Sequence, residues 1–278
     1  MDITGWKYYN HAAIPTTPPH KEPDLIPVKD KTIWSLDGKS PLLARWITDF
    51  DCGYETDWWY VIKDGPFDID ALKAKRRYEI NKGIKNFDVK IINPQEYKNE
   101  LYNVQSAAYM GYPPKYRPVL DKNDFIRRIE SWNRFVVFGA FYRETDELTG
   151  FALLEKVSDD FVDFSVLRTN PDYEKFSVNA AIVCKIMEYY AAFLAEGGMI
   201  CDGSRSINHE TKFQSYLEKY FGFRNAYCNL HIAYNPKVKW IIKMLYPFRK
   251  VLFKFDNINK VHQINGILKM ENIVRRKK

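Results

Sequence analysis

Within nine residues, Asp202 to Glu210, the chain places a carboxylate, a guanidinium, a hydroxyl, an imidazole and a second carboxylate: Asp202, Arg205, Ser206, His209 and Glu210. Together they offer a base, an anion ligand and an orienting hydrogen bond, enough for proton-transfer chemistry without a metal. They follow the apolar run Met199–Cys201, which reads as a short buried strand. The polar groups therefore stand where a strand spills into a loop, a position both rigidly held and reachable. The same residues also suit structural roles, with Asp202 tying a turn at Gly203 and Ser206 or Asn208 capping the next helix. Cys52, Cys184, Cys201 and Cys228 show no C-x-x-C spacing and the five histidines do not cluster with them, so neither a zinc site nor a Cys-His nucleophile is expected.

Two further clusters stand out upstream. Trp58-Trp59-Tyr60 lies in Thr56–Lys63, a run of strand-forming residues, and Arg76-Arg77-Tyr78 lies in Leu72–Gly83, a charged helical pattern. Aromatic residues make up 16% of the chain, and rings stack on sugar faces as well as filling cores, so the excess hints at a wide substrate groove.

The elements that must hold these groups can be read from periodicity. Residues 11–27 carry five of the 14 prolines and read as a loop. Phe67–Lys82 reads as a helix capped by Asp68 or Asp70 and closed by Gly83. Beyond it come a strand at Phe87–Ile92 and helices at Pro94–Tyr109 and Asp121–Trp132. Three strands in a meander follow, Phe135–Tyr142, Gly150–Val157 and Phe161–Leu167. A helix over Ser177–Ala195, the strand Met199–Cys201, a helix over His209–Phe221 and a strand over Ala226–Ala233 complete the pattern. The reading is an α+β fold with a mixed, mostly antiparallel sheet flanked by helices, divided into residues 1–86, 87–235 and a basic helical tail, 236–278.

This order, together with Asn170–Ile182, resembles the GNAT acyltransferase superfamily over residues 87–235. In that family the strand-to-helix segment binds the pyrophosphate of coenzyme A on helix-terminal N–H groups. The resemblance implies that Lys175, Ser177, Val178 and Asn179 contact acyl-CoA, most simply acetyl-CoA, as co-substrate. Ser177 and Asn179 stand where the family has glycine and Glu174 where it has arginine. The run Tyr216-Leu217-Glu218-Lys219-Tyr220-Phe221-Gly222-Phe223 resembles the family's penultimate helix, which implies a tyrosine general acid, Tyr216 or Tyr220. Leu72–Gly83 resembles the Fem-type peptidoglycan aminoacyl transferases and the related acetyltransferases that lack a glycine-rich loop. That likeness puts Arg76, Arg77 and Tyr78 near the acceptor.

The implied activity is transfer of an acyl group to an amine, linked to a sugar of a surface polysaccharide. Asp202 or His209 would act as base and Tyr216 as proton donor, with Trp58, Tyr60, Arg76, Arg77, Tyr78, Arg205, Ser206 and Glu210 as acceptor contacts. A Fem-type enzyme drawing on charged tRNA and an inert glycan- or partner-binding relative are the alternatives. Charge bears on the first of these. The chain carries +7, yet the segment from Lys237 to Lys278 holds twelve basic and two acidic residues, which leaves residues 1–236 slightly acidic. A nucleic-acid partner would call for a basic body, so none is expected. The tail reads as basic amphipathic helices split at Pro247, suited to an anionic membrane surface. Met1–Thr4 resembles no secretory leader and the thiols read as reduced, so the expected place is the cytoplasm, peripheral to the membrane's inner face.

Overall fold

β-Branched and aromatic runs become strands here, and the proline-punctuated start is more ordered than its composition suggests. In the computed structural model, which describes residues 3–113, 117–207 and 212–276, the chain opens with β1 (Trp6–Tyr9), β2 (Ala12–Pro15), a short helix α1 (Ile26–Lys29), β3 (Leu43–Thr48) and β4 (Trp59–Lys63). Next come α2 (Ala74–Asn86), β5 (Phe87–Ile91), α3 (Lys98–Met110) and α4 (Lys122–Ile129). β6 (Phe135–Tyr142), β7 (Glu147–Ser158) and β8 (Phe161–Thr169) form the expected meander. α5 (Val178–Tyr189), α6 (Ala191–Ala195), β9 (Met199–Ser204) and α7 (Lys212–Phe221) follow. β10 (Arg224–Tyr227), β11 (Asn229–Tyr234), α8 (Pro236–Leu245), α9 (Arg249–Leu252) and α10 (Asn259–Arg276) end the chain.

Several local expectations need correction. Residues 11–27 are not all loop, because Ala12–Pro15 pairs with β1 and, at Ala12 and Ala13 only, with β3, which leaves Pro15 at the strand's end, and Pro27 lies in the first turn of α1, both places where proline is tolerated. α2 starts at Ala74, not Phe67: the Asp68 carboxylate accepts the Asp70 N–H in a local turn at 2.8 Å, so neither aspartate caps the helix. Gly83 lies inside α2 and does not end it. A side chain there would stand 2.6 Å from the Ser177 carbonyl oxygen and 2.9 Å from the Ala181 nitrogen, so glycine is what lets α2 and α5 approach. Ser177–Ala195 is broken at Tyr190 into α5 and α6, and Ala226–Ala233 is divided between β10 and β11.

The contacts divide the chain into two compact units interleaved in sequence. The first comprises Met1–Val61, Ser204–Lys212 and Asn225–Lys278, the second Ile62–Gly203 and Phe213–Arg224. In the first unit the sheet order is β1-β2-β3-β11, with β2 parallel to β3 and the other pairs antiparallel. Trp6, Ala13, Ile33, Leu36 and Ala44 form one core cluster there, and Ile47, Trp58, Cys228, Leu230 and Ile273 another.

In the second unit β5, β6, β7 and β8 are successively antiparallel, and β9 joins β8 in parallel. Strand alternation sends Val137, Phe141, Phe151 and Leu153 to one face, where they pack with Leu101 and Val104 of α3 and Phe125 and Ile129 of α4. The opposite face carries α5, whose Val178 and Ile182 lie against β7 at Gly150 and whose first turn meets α2. Among the described residues no helix is long and apolar enough to cross a membrane.

Candidate active site

β8 and β9 are paired for only three residues, Phe161 with Met199, Val162 with Ile200 and Asp163 with Cys201. No pair between β8 and β9 follows Asp163 and Cys201, although β8 runs on to Thr169 and β9 to Ser204. Two parallel strands that part in this way leave backbone groups and a gap between their C-terminal halves, the end of a sheet where ligands bind. Asp202 is the first residue of β9 beyond the last pair. Gly203 follows it at φ +92, which an L side chain rarely adopts, and its N–H donates to Cys201 Sγ at 3.2 Å.

Burial pushes the Asp202 carboxyl up to about 7. A hydrogen bond from the Gln214 side chain opposes the rise, and the nearby Asp163 carboxylate adds to it. A carboxylate poised there is half ionised at neutral pH and can take or return a proton. α7 supplies Gln214 to this group and turns its other side chains elsewhere. Phe213 meets Phe164 of β8 edge-on at 5.9 Å, while Tyr216 stacks on Phe213 at 6.2 Å and on Tyr220 at 4.7 Å.

The Tyr216 hydroxyl is buried without a hydrogen-bond partner among the described residues. Burial, reinforced by the charge of Glu79, drives its pKa far above the ordinary phenol value, so it keeps its proton throughout the physiological range. Tyr220 donates to Glu79, which raises its own pKa, and Arg76 lies 5.9 Å over its ring. The second unit thus holds two groupings, Asp202 with Asp163 and Gln214, and Tyr216 and Tyr220 with Glu79 and Arg76 of α2. Asp163, Gln214 and Glu79 were not singled out by the sequence. An aspartate inside the apolar run of β8 was the one available signal; nothing marked Gln214, twelve positions beyond its partner.

The remaining candidates fall in varied settings. In the second unit, Arg77 donates to the Asp70 carbonyl at 3.0 Å and Tyr78 is exposed. Lys175 is exposed and lies 5.0 Å over the Phe176 ring. Ser177 and Val178 are buried, and Asn179 accepts from the Thr169 hydroxyl at 3.2 Å. Ser177 holds φ 68 and ψ 39, the left-handed backbone a glycine would adopt at no steric cost, and its side chain makes no capping bond.

In the first unit Trp58 is a core residue, Tyr60 packs at the edge of the same cluster, and Ser206 is half-buried. Arg205 donates to the Asp57 carbonyl at 2.7 Å and lies 4.3 Å over the Trp59 ring. His209 and Glu210 lie outside the described residues. The first unit also has a cleft of about 700 Å³ lined by Asp49, Glu55, Asp57, His231 and Arg276 among others, and none of the sequence candidates lines it. Among the described residues no group of three or more metal-ligating side chains converges.

No family model and no curated protein matches the chain. Its fold does match solved structures. FemX superposes with a TM-score of 0.53 at 10% identity over 78% of each chain. The C-terminal domain of a candidate lysylphosphatidylglycerol synthetase from Agrobacterium fabrum gives 0.51 at 11% identity, covering 86% of this chain and 82% of that one. A conserved Bacteroides thetaiotaomicron protein of unknown function gives 0.51 at 10% identity over 80% and 78%. The chain therefore has a GNAT-like α+β fold of the kind seen in FemX.

Proposed function

We propose that the protein transfers an acyl group to an amine, with an acyl-CoA as donor and a sugar-linked amine as acceptor. The observation that carries this reading is Asp202, a carboxyl held near pH 7 where β8 and β9 part. Amine attack on the donor carbonyl requires removal of one proton from nitrogen and delivery of one to the leaving group. Asp202 suits the first task, and Tyr216, which keeps its proton, the second. Backbone N–H groups where β8 and β9 part are suited to the oxyanion. The four unbridged cysteines fit a reducing interior.

One feature favours a second reading, an aminoacyl ester of tRNA as donor. The start of α5 is packed against Gly83, Ser177 and Val178 are buried, and Asp172 and Glu174 precede them, a poor seat for a pyrophosphate. The lysylphosphatidylglycerol synthetase domain, whose name denotes an aminoacylated product, shares the fold.

Calorimetry with acetyl-CoA separates the two, using Lys175→Glu, an exposed substitution that leaves the packed Ser177 intact. Saturable binding that the variant weakens supports the acyl-CoA enzyme. Silence at millimolar acetyl-CoA, with retention of a charged tRNA, supports the second donor. Failure to bind either overturns acyl transfer and leaves a glycan- or partner-binding protein.

A further inference from the structure

The C-terminal helices of the first unit present a face that the acyl-transfer reading leaves unused. Along α8, α9 and the 3-10 turns Tyr246–Phe248 and Phe253–Phe255, six large apolar side chains point outward. Trp240, Ile241, Met244, Phe248, Val251 and Phe255 are each between 47% and 69% exposed. So contiguous an apolar exposure marks a contact surface. Interleaved with them are Lys237, Lys239, Lys243, Lys250, Lys254 and Lys260, all exposed, and the Lys243 ammonium lies 5.5 Å from the Trp240 ring.

The inner side of the same segment is already fixed. Ile242 is buried, Tyr246 donates to Asn272 at 3.0 Å, and Arg249 and Arg275 flank the Tyr246 ring at 4.1 and 3.9 Å. The Asn265 amide, fully buried, donates to the Leu252 carbonyl at 2.9 Å and to Asp256 at 2.7 Å. Asp256 is the one acidic residue between Lys237 and Lys260, and it is taken up by Asn265, His262 and Lys269 of α10. The outward face is thus preformed, apolar and without a negative charge of its own.

We propose that this face docks on an anionic lipid surface, with Trp240, Phe248 and their apolar neighbours entering the acyl boundary and the lysines resting among acidic headgroups. Lysine stems reach from an apolar face to the headgroup level, which this interleaving requires. A second copy of the chain is disfavoured as occupant because a two-fold contact would set the lysines against each other. A nucleic acid would satisfy the lysines but leave the aliphatic side chains in water.

The full chain is sedimented with vesicles of phosphatidylcholine alone and of phosphatidylcholine mixed with phosphatidylglycerol, and its tryptophan emission is followed with bromine-labelled acyl chains. Binding is expected only with the anionic lipid, weakened by salt, with quenching that Trp240→Phe removes. Lys239→Glu with Lys243→Glu, and separately Trp240→Ser with Phe248→Ser, each reduce binding by roughly tenfold or more. All four positions are exposed, and unchanged circular dichroism confirms that the variants fold. The proposal is overturned if the apolar pair has no effect, if the protein dimerises through this face without binding vesicles, or if an RNA binds where vesicles do not.

Discussion

A carboxyl held near neutrality makes a measurable prediction at Asp202 alone. If Asp202 is the base, turnover rises with pH through about 7 as the carboxyl ionises. Asp163→Asn removes a neighbouring negative charge and moves the rise acidward; Gln214→Leu removes a hydrogen bond to the carboxylate and moves it alkaline, each by roughly one pH unit or less. A pH–rate profile indifferent to both changes assigns the base elsewhere. Stability carries the same signature with a definite sign. A carboxyl whose folded pKa is raised stays protonated in the native state while the unfolded chain loses its proton, so stability falls from about pH 4 to about pH 7 and then levels. Asp202→Asn escapes this loss, and its melting temperature should exceed the parent's by a margin that widens over that window. The gap corresponds to at most about 4 kcal/mol. Tyr216→Phe tests the donor: removing a hydroxyl that has no partner leaves stability unchanged or raises it by about 1 kcal/mol, whereas turnover drops by roughly 10²-fold. Equal loss of both would mark Tyr216 as structural.

Between elements, the junction of α2 with α5 decides how the helix start is used. Ser177 keeps a left-handed backbone without glycine, and α2 covers it through a glycine placed at the crossing. Ser177→Gly should therefore stabilise by up to roughly 1 kcal/mol, since it relieves a strained φ and forfeits no capping bond. Gly83→Ala should cost roughly 1–3 kcal/mol, because the atoms its Cβ meets are backbone and cannot swing aside. Denaturant midpoints of the two variants, shifted in opposite directions, check the junction. Strands at this scale were legible from runs of apolar, β-branched and aromatic residues, and Phe135–Tyr142 matches residue for residue. The helix read over Phe67–Lys82 was legible as a helix but not in its ends, which fall at Ala74 and Asn86. Gly83 follows the local rule for a helix stop, and tertiary contact with α5 overrides it.

Across the whole chain, Asp202 was legible as a candidate from the strand end that carries it, and Tyr216, with Tyr220, from the likeness of its run to a helix of the acyltransferases. Asp163, Gln214 and Glu79 were not, because their relation to those residues arises only when β8, α7 and α2 are brought together. Trp58 illustrates the converse, an aromatic read as a contact that the fold spends on its core. The interleaving of the two units was equally invisible, since contacts of high sequence separation leave no periodic trace. The tail shows the same limit: its amphipathic pattern was plain, but only the folded chain shows which apolar side chains are turned inward, and Asn265 is what holds that choice. Asn265→Ala leaves the Leu252 carbonyl without its donor and should cost about 1–3 kcal/mol. It should also speed amide exchange across residues 249–256 in the absence of lipid. The Asn265 hydrogen bond is the largest of the influences that hold the Asp256 carboxyl below its ordinary range, and a depressed carboxylate stabilises above about pH 4 and loses that contribution as pH falls through its folded value. The deficit of the variant should accordingly narrow in acid, and a deficit independent of pH would show that Asn265 acts through Leu252 alone.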